Sequence, residues 1–229
     1  MSPAPFRPRL EAMLAALRAH PEVELLDVQV RPPASEAAIR GAAASIDASL
    51  PPELVAFYRE HDGVFVEWGL RGQSYAAPTD PFGWPDYGQP PGCINILPIA
   101  EVMSPEWEIE SHVNEISSEQ QALIFGAPLD PQPPVRAVTV DNFSKYNHGD
   151  LILGPDPVMV VSTDHGADME ASDWLSFGVY LDLTLAIFAT NRYYQGVGIG
   201  WSRTPQRVDA WTARPSLDDL IARIREDEA

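Results

Sequence analysis

The sequence predicts a single folded unit of mixed helix and strand, and three observations carry that prediction. The 229 residues are 45% hydrophobic and 21% charged, ordinary globular values for a chain that size, which buries roughly 70–75% of its unfolded surface. Apolar residues recur at helical spacing in some segments and cluster in short β-rich runs in others. Proline and glycine punctuate the boundaries between the two kinds of segment.

Taken in order, PRLEAMLAALRAHP (8–21) places Leu10, Met13, Leu14 and Leu17 at helical spacing, and Pro21 stops the helix. EVELLDVQV follows as a strand with apolar Val23, Leu25, Val28 and Val30, an imperfect alternation. Pro32 and Pro33 mark a boundary, and Ser35 is placed to cap a helix that runs to the double proline at 51–52. In SLPPELVAFYREHDGV (49–64), proline suits a first helical turn, whose N–H groups lack partners. Leu54, Phe57, Tyr58 and His61 form one stripe, and Gly63 supplies a left-handed stop. His61 reads as a core or capping histidine. VFVEWGL is then a strand.

Residues 72–93 are rich in proline and glycine and carry Tyr75, Phe82, Trp84 and Tyr87. The aromatics predict a packed loop rather than a structureless one. Strands are expected at 94–97, 135–140, 151–153 and 158–162, with a short helix within 98–125. Alternation in EWEIE turns Trp107 and Ile109 inward, and His148-Gly149-Asp150 reads as a tight turn before a strand. A helix over about 172–190 spaces Trp174, Phe177, Leu181, Leu185 and Phe188 helically. YYQGVGIGW is read as a terminal strand, and SLDDLIARIREDE as a final helix capped by Ser216.

Charge is distributed unevenly. Thirty-three acids against fifteen bases give a net charge of −18. Residues 72–135 hold nine acids and no Lys or Arg, and residues 146–191 hold seven acids and no Lys or Arg. Such a field repels nucleic acid and anionic membranes and attracts cations or a basic protein. No signal peptide or membrane-length apolar run is visible, and the lone Cys93 fits a reducing compartment, so a cytoplasmic location is expected.

Catalytic constellations are weak. GVGIG (196–200) lacks the strand-before, helix-after setting of a phosphate loop. Cys93 has no activating neighbour in sequence, and none of the five histidines is paired with another at metal-ligand spacing. Asp164, His165, Asp168 and Glu170 crowd into STDHGADME, which reads first as a solvated turn and second as a cation or acid–base site. No cofactor or metal is expected. The sequence-derived candidates for partner contact are Asp80, Trp84, Asp86, Tyr87, Glu106, Glu108, Glu110 and Glu115, aromatic anchors within a ring of acids.

The stretch LPPELVAFYREHDGV resembles the leucine-proline helix ending in glycine that marks the SUKH superfamily, which unites fungal cell-wall-synthesis regulators with bacterial immunity proteins. The helix SEAAIRGAAASIDAS before it and the strand VFVEW after it fit the same order, as do INILPIAEV, VDNFSKYNHGDLILGPD and ASDWLSFGVYLDLTLA. The similarity covers residues 35–190, leaving 1–34 as an N-terminal helix–strand extension and 191–229 as a C-terminal extension packed on the core. The resemblance implies a single-domain α+β fold, with helices around a largely antiparallel sheet. It also implies binding rather than catalysis: neutralising a co-encoded toxin, or scaffolding and regulation without one. A small metal-dependent hydrolase built on 162–170 is the remaining alternative.

Overall fold

The computed structural model describes residues 5–45, 50–75, 81–83, 85, 90–103, 108–111, 135–144, 147–153, 158–164, 169–171, 175–190 and 215–227. Helix α1 (Phe6–Ala19) forms because Phe6, Leu10, Met13, Leu14 and Leu17 return to one side every three or four residues, and all five are buried. His20 adopts an extended conformation and ends it.

Strand β1 (Val23–Val30) explains its own imperfect alternation. It pairs antiparallel with β2 (Val64–Leu70), and the register shifts between Leu25 and Asp27. Leu26 is therefore a bulge residue, 42% exposed. The extra residue lets Val23, Leu25, Val28 and Val30 sit opposite Leu70, Trp68, Val66 and Val64 on one face. The bulge also blunts β1, the end strand of the sheet, against pairing with another chain.

Helix α2 (Glu36–Ser45) starts at Ser35, whose hydroxyl accepts from the Ala38 amide at 3.1 Å. Helix α3 (Pro52–Glu60) buries Leu54, Phe57 and Tyr58, and His61 follows them into the interior. The His61-Asp62-Gly63 exit differs from a simple glycine stop. Extended His61 ends α3, and the Asp62 carboxylate accepts from the Ile99 amide at 2.9 Å, capping the start of α4 (Ile99–Val102) instead. Gly63, at φ 102°, lies against the Ile96 carbonyl and the Phe82 ring, where a side chain would be both strained and crowded.

The remaining elements are β3 (Gly92–Ile96), β4 (Glu108–Ser111), β5 (Val135–Asp141), β6 (Asn147–Ile152), β7 (Val158–Asp164), β8 (Met169–Ala171), α5 (Phe177–Ala186) and α6 (Leu217–Asp227). Every pairing among them is antiparallel, in the spatial order β1-β2-β3-β5-β6-β7-β8, with β4 paired to β5. The protein is thus an α+β fold. Phe6, Phe57 and Phe177 bring α1, α3 and α5 together edge-to-face, with ring centroids 5.0 and 5.6 Å apart. Trp68, Ile94, Ile96, Val138, Leu151 and Met159 are buried on the sheet beneath these helices. Leu217, Ile221 and Ile224 join the same core from α6, whose Ser216 cap forms a reciprocal box with Asp219. Residues 6–30 therefore contribute an edge strand and a core helix to the same unit.

Two expectations need correction. His148, Gly149 and Asp150 lie within β6, paired with Ser162, Val161 and Val160, and are not a turn. Their polarity suggested exposure, but His148 and Asp150 are buried. Helix α5 ends at Ala186, and Phe188 and Ala189 turn left-handed, with φ 54° and 57°. The Trp68 indole and the Cys93 amide donate to the Phe188 and Ala189 carbonyls at 2.6 and 2.8 Å, tying the chain back to β2 and β3. The short helix expected within 98–125 is α4, and residues 108–111 form a strand where alternation is read in EWEIE. The segment read as a terminal strand, YYQGVGIGW, lies outside the described residues.

Candidate functional site

Of the residues singled out for partner contact, Asp80, Trp84, Asp86, Tyr87, Glu106 and Glu115 lie outside the described residues, as do His165 and Asp168. Glu108 and Glu110 lie in β4, opposite Val138 and Arg136 of β5. Asp164 and Glu170 belong to the β7–β8 ladder, opposite Met169 and Thr163. Among the described residues no group of His, Cys, Asp and Glu is arranged to hold a metal.

The base of the proline-rich loop is anchored by two asparagines. Asn95, fully buried on β3, accepts from the Phe82 amide at 3.0 Å and donates to the carbonyls of Gly83 at 2.9 Å and Asn142 at 3.0 Å. The Asn142 amide adds a bond to the Gly83 carbonyl at 3.2 Å. Phe82 is left-handed at φ 62°, which costs about 1–2 kcal/mol for a residue with a Cβ. The bonds from Asn95 and Asn142 offset that cost. The Phe82 ring lies 6.3 Å from that of Phe65 and under the Arg31 guanidinium, 5.5 Å from its centroid. Trp84, Asp86 and Tyr87 follow this anchored turn in sequence.

Asn95 is also held from its backbone side. The Asp141 carboxylate accepts from the Asn95 amide at 2.8 Å and from the Tyr180 hydroxyl at 2.7 Å. A bulge at the end of β5, between Thr139 and Asp141, aims this carboxyl at the helix-covered face. Thr139 faces the other way and donates to Asp150 at 3.0 Å. Opposite Asp141 stands Gly149, and the Tyr180 ring occupies the place a Cβ would take. Glycine is required there.

Electrostatics at this seam follow from burial. Desolvation pushes the Asp141 carboxyl up to about 6, against the opposing hydrogen bonds from Tyr180 and Asn95. Burial, and then the charges of Asp141 and Glu67, push the Cys93 thiol well up. The Tyr58 phenol is raised for the same reason and donates to the Leu97 carbonyl at 2.9 Å. A thiol and a phenol held protonated are poor nucleophiles. The Tyr58, Asn95, Asp141 and Asn142 side chains bind backbone segments to one another.

Asn95, Asp141, Asn142 and Tyr180 had no sequence signal as a group. VDNFS looks like a strand running into a polar turn, and a turn asparagine and a buried anchor are spelled identically. Glu53 was equally silent: its carboxylate crosses from α3 to accept from the Gly178 amide at 2.8 Å, capping α5 beside Ser176. No protein-family model matches the chain, and no curated protein matches it in sequence.

Proposed function

We propose that the chain is a non-enzymatic binding protein of the immunity type, which neutralises a co-encoded basic toxin domain through its acidic surface. The observation that carries this reading is the distribution of charge. Sixteen of the eighteen excess negative charges fall in two windows devoid of Lys and Arg, and one window includes the anchored loop and β4. Concentrated charge speeds the approach of a basic partner and disfavours wrong ones. The aromatics Trp84 and Tyr87, which follow in sequence the turn held by Asn95 and Asn142, are the anchors of this reading. The resemblance of LPPELVAFYREHDGV to the SUKH helix points the same way. No helix among the described residues is long and apolar enough to cross a membrane.

Co-expression with the product of the neighbouring open reading frame tests the proposal. The expected result is copurification of the two chains and relief of that product's toxicity. Separate elution at low salt, with toxicity unrelieved, contradicts it.

A further inference from the structure

Gly63, Phe82 and Arg31 form one layered feature, and each layer has its own cause. Gly63 has no Cβ, and the edge of the Phe82 ring lies 3.0 Å from the place one would occupy. The Arg31 amide donates to the Gly63 carbonyl at 3.1 Å, which sets Arg31 beside that ring. Its guanidinium stands over the ring, 5.5 Å from the centroid, and Phe65 packs the ring from β2. Phe82 itself is left-handed and is held so by two buried asparagines. Backbone strain kept in place this firmly collects at functional sites. Arg31 is also used differently from its fellows. The guanidiniums of Arg7, Arg59 and Arg71 donate to Glu11, to Glu36, and to the Pro21 and Val23 carbonyls. Arg31 is exposed beside exposed Val30, Pro32 and Pro33, and its guanidinium has no acceptor among the described residues.

We propose, resting on the immunity-type reading, that Arg31 on Phe82 is the contact that orients the protein partner: its guanidinium takes a carboxylate that the partner carries among its bases. Phe82 belongs to the window of nine acids without Lys or Arg, so Arg31 brings a positive charge to that window from outside it. Charge of one sign draws a basic surface in but does not choose its rotation, because many acids serve equally. A base set against the acids does choose. It repels a lysine or arginine placed over it and pairs with an acid, which fixes the register of the complex. Stacking keeps the planar guanidinium pre-organised, so little freedom is lost when its N–H groups meet a planar carboxylate. Arginine and aromatic side chains are also the types that dominate interface energies.

Binding kinetics of the intact chain with the product of the neighbouring open reading frame test it. Arg31→Ala should melt with the wild type and dissociate about tenfold faster or more. Its association at low salt should be no slower than that of the wild type, because loss of a base leaves the field more negative. Arg31→Lys, which keeps the charge without the planar stack, should keep the on-rate and dissociate faster than the wild type. In the partner, one acid-to-alanine substitution should speed dissociation as Arg31→Ala does, and should add little to it when the two are combined. Failure of the wild-type chain to bind overturns the immunity-type reading, and this contact with it. A complex whose off-rate Arg31→Ala leaves unchanged overturns the contact and spares the reading. So does a faster off-rate that couples to no acid of the partner.

Discussion

The helix layer and the β3–β5 junction lie a few residues apart and are held by opposite means. Between α1, α3 and α5 the contacts are Phe6, Phe57 and Phe177, apolar and edge-to-face, with His61 tucked among them. At the junction the contacts are Asp141, Asn95, Asn142 and Tyr180, a polar seam with little backbone ladder. The first region tolerates no loss of volume; the second is sensitive to the placement of one proton. Each region can be broken separately.

The largest effect is expected in the helix layer. Phe57→Ala leaves a cavity among three aromatic rings and should cost about 3–5 kcal/mol, read from chemical unfolding. A melt unchanged by this substitution contradicts the packing described.

At the seam the effect depends on pH. The Asp141 carboxyl rises from its ordinary 3.8 to about 6 in the folded chain. A raised pKa means stability fully present below 3.8 and lost as pH climbs through about 6, a swing of roughly 3 kcal/mol at about 1.4 kcal/mol per pH unit. Asp141→Asn should therefore be more stable than the wild type at about pH 7.5 and lack this dependence. If it is less stable than the wild type by the same margin at both pH values, the seam is ordinary packing.

His61 should show the reverse sign with a smaller amplitude. Burial lowers its pKa, the Glu60 charge and the Arg31 backbone opposing. Its neutral form is favoured by folding, so its contribution is present above 6.5 and lost as pH falls below that toward the folded value. His61→Phe should remove this acid-side loss in melts run across the interval. The smallest effect belongs to Arg59→Ala, which breaks an exposed pair with Glu36 at 2.8 Å and should leave the melting temperature near that of the wild type.

Legibility in sequence follows the same division. The stripe Leu54, Phe57, Tyr58 and His61 was readable because burial of one helix face leaves a periodic trace. Even the break in β1 was present in the letters: the step of three from Leu25 to Val28 is the bulge at Leu26. The seam left no such trace. Asp141, Asn142 and Asp150 are turn-forming residue types, yet all three are interior. Asn95 sits in an apolar strand, where a lone amide carries no hint of the turn it anchors. The charged windows were legible as composition, but composition does not say which acids share a face.

The central claim, that the acidic surface steers a basic protein partner, is met most directly by association kinetics against the neighbouring gene product across ionic strength. The wild-type on-rate should be fast at low salt and fall steeply as salt is added, because screening weakens exposed charges. Reversing Glu106, Glu108 and Glu110 to lysine should slow association strongly at low salt and much less at high salt. A folded triple variant that associates at the wild-type rate at low ionic strength contradicts the claim.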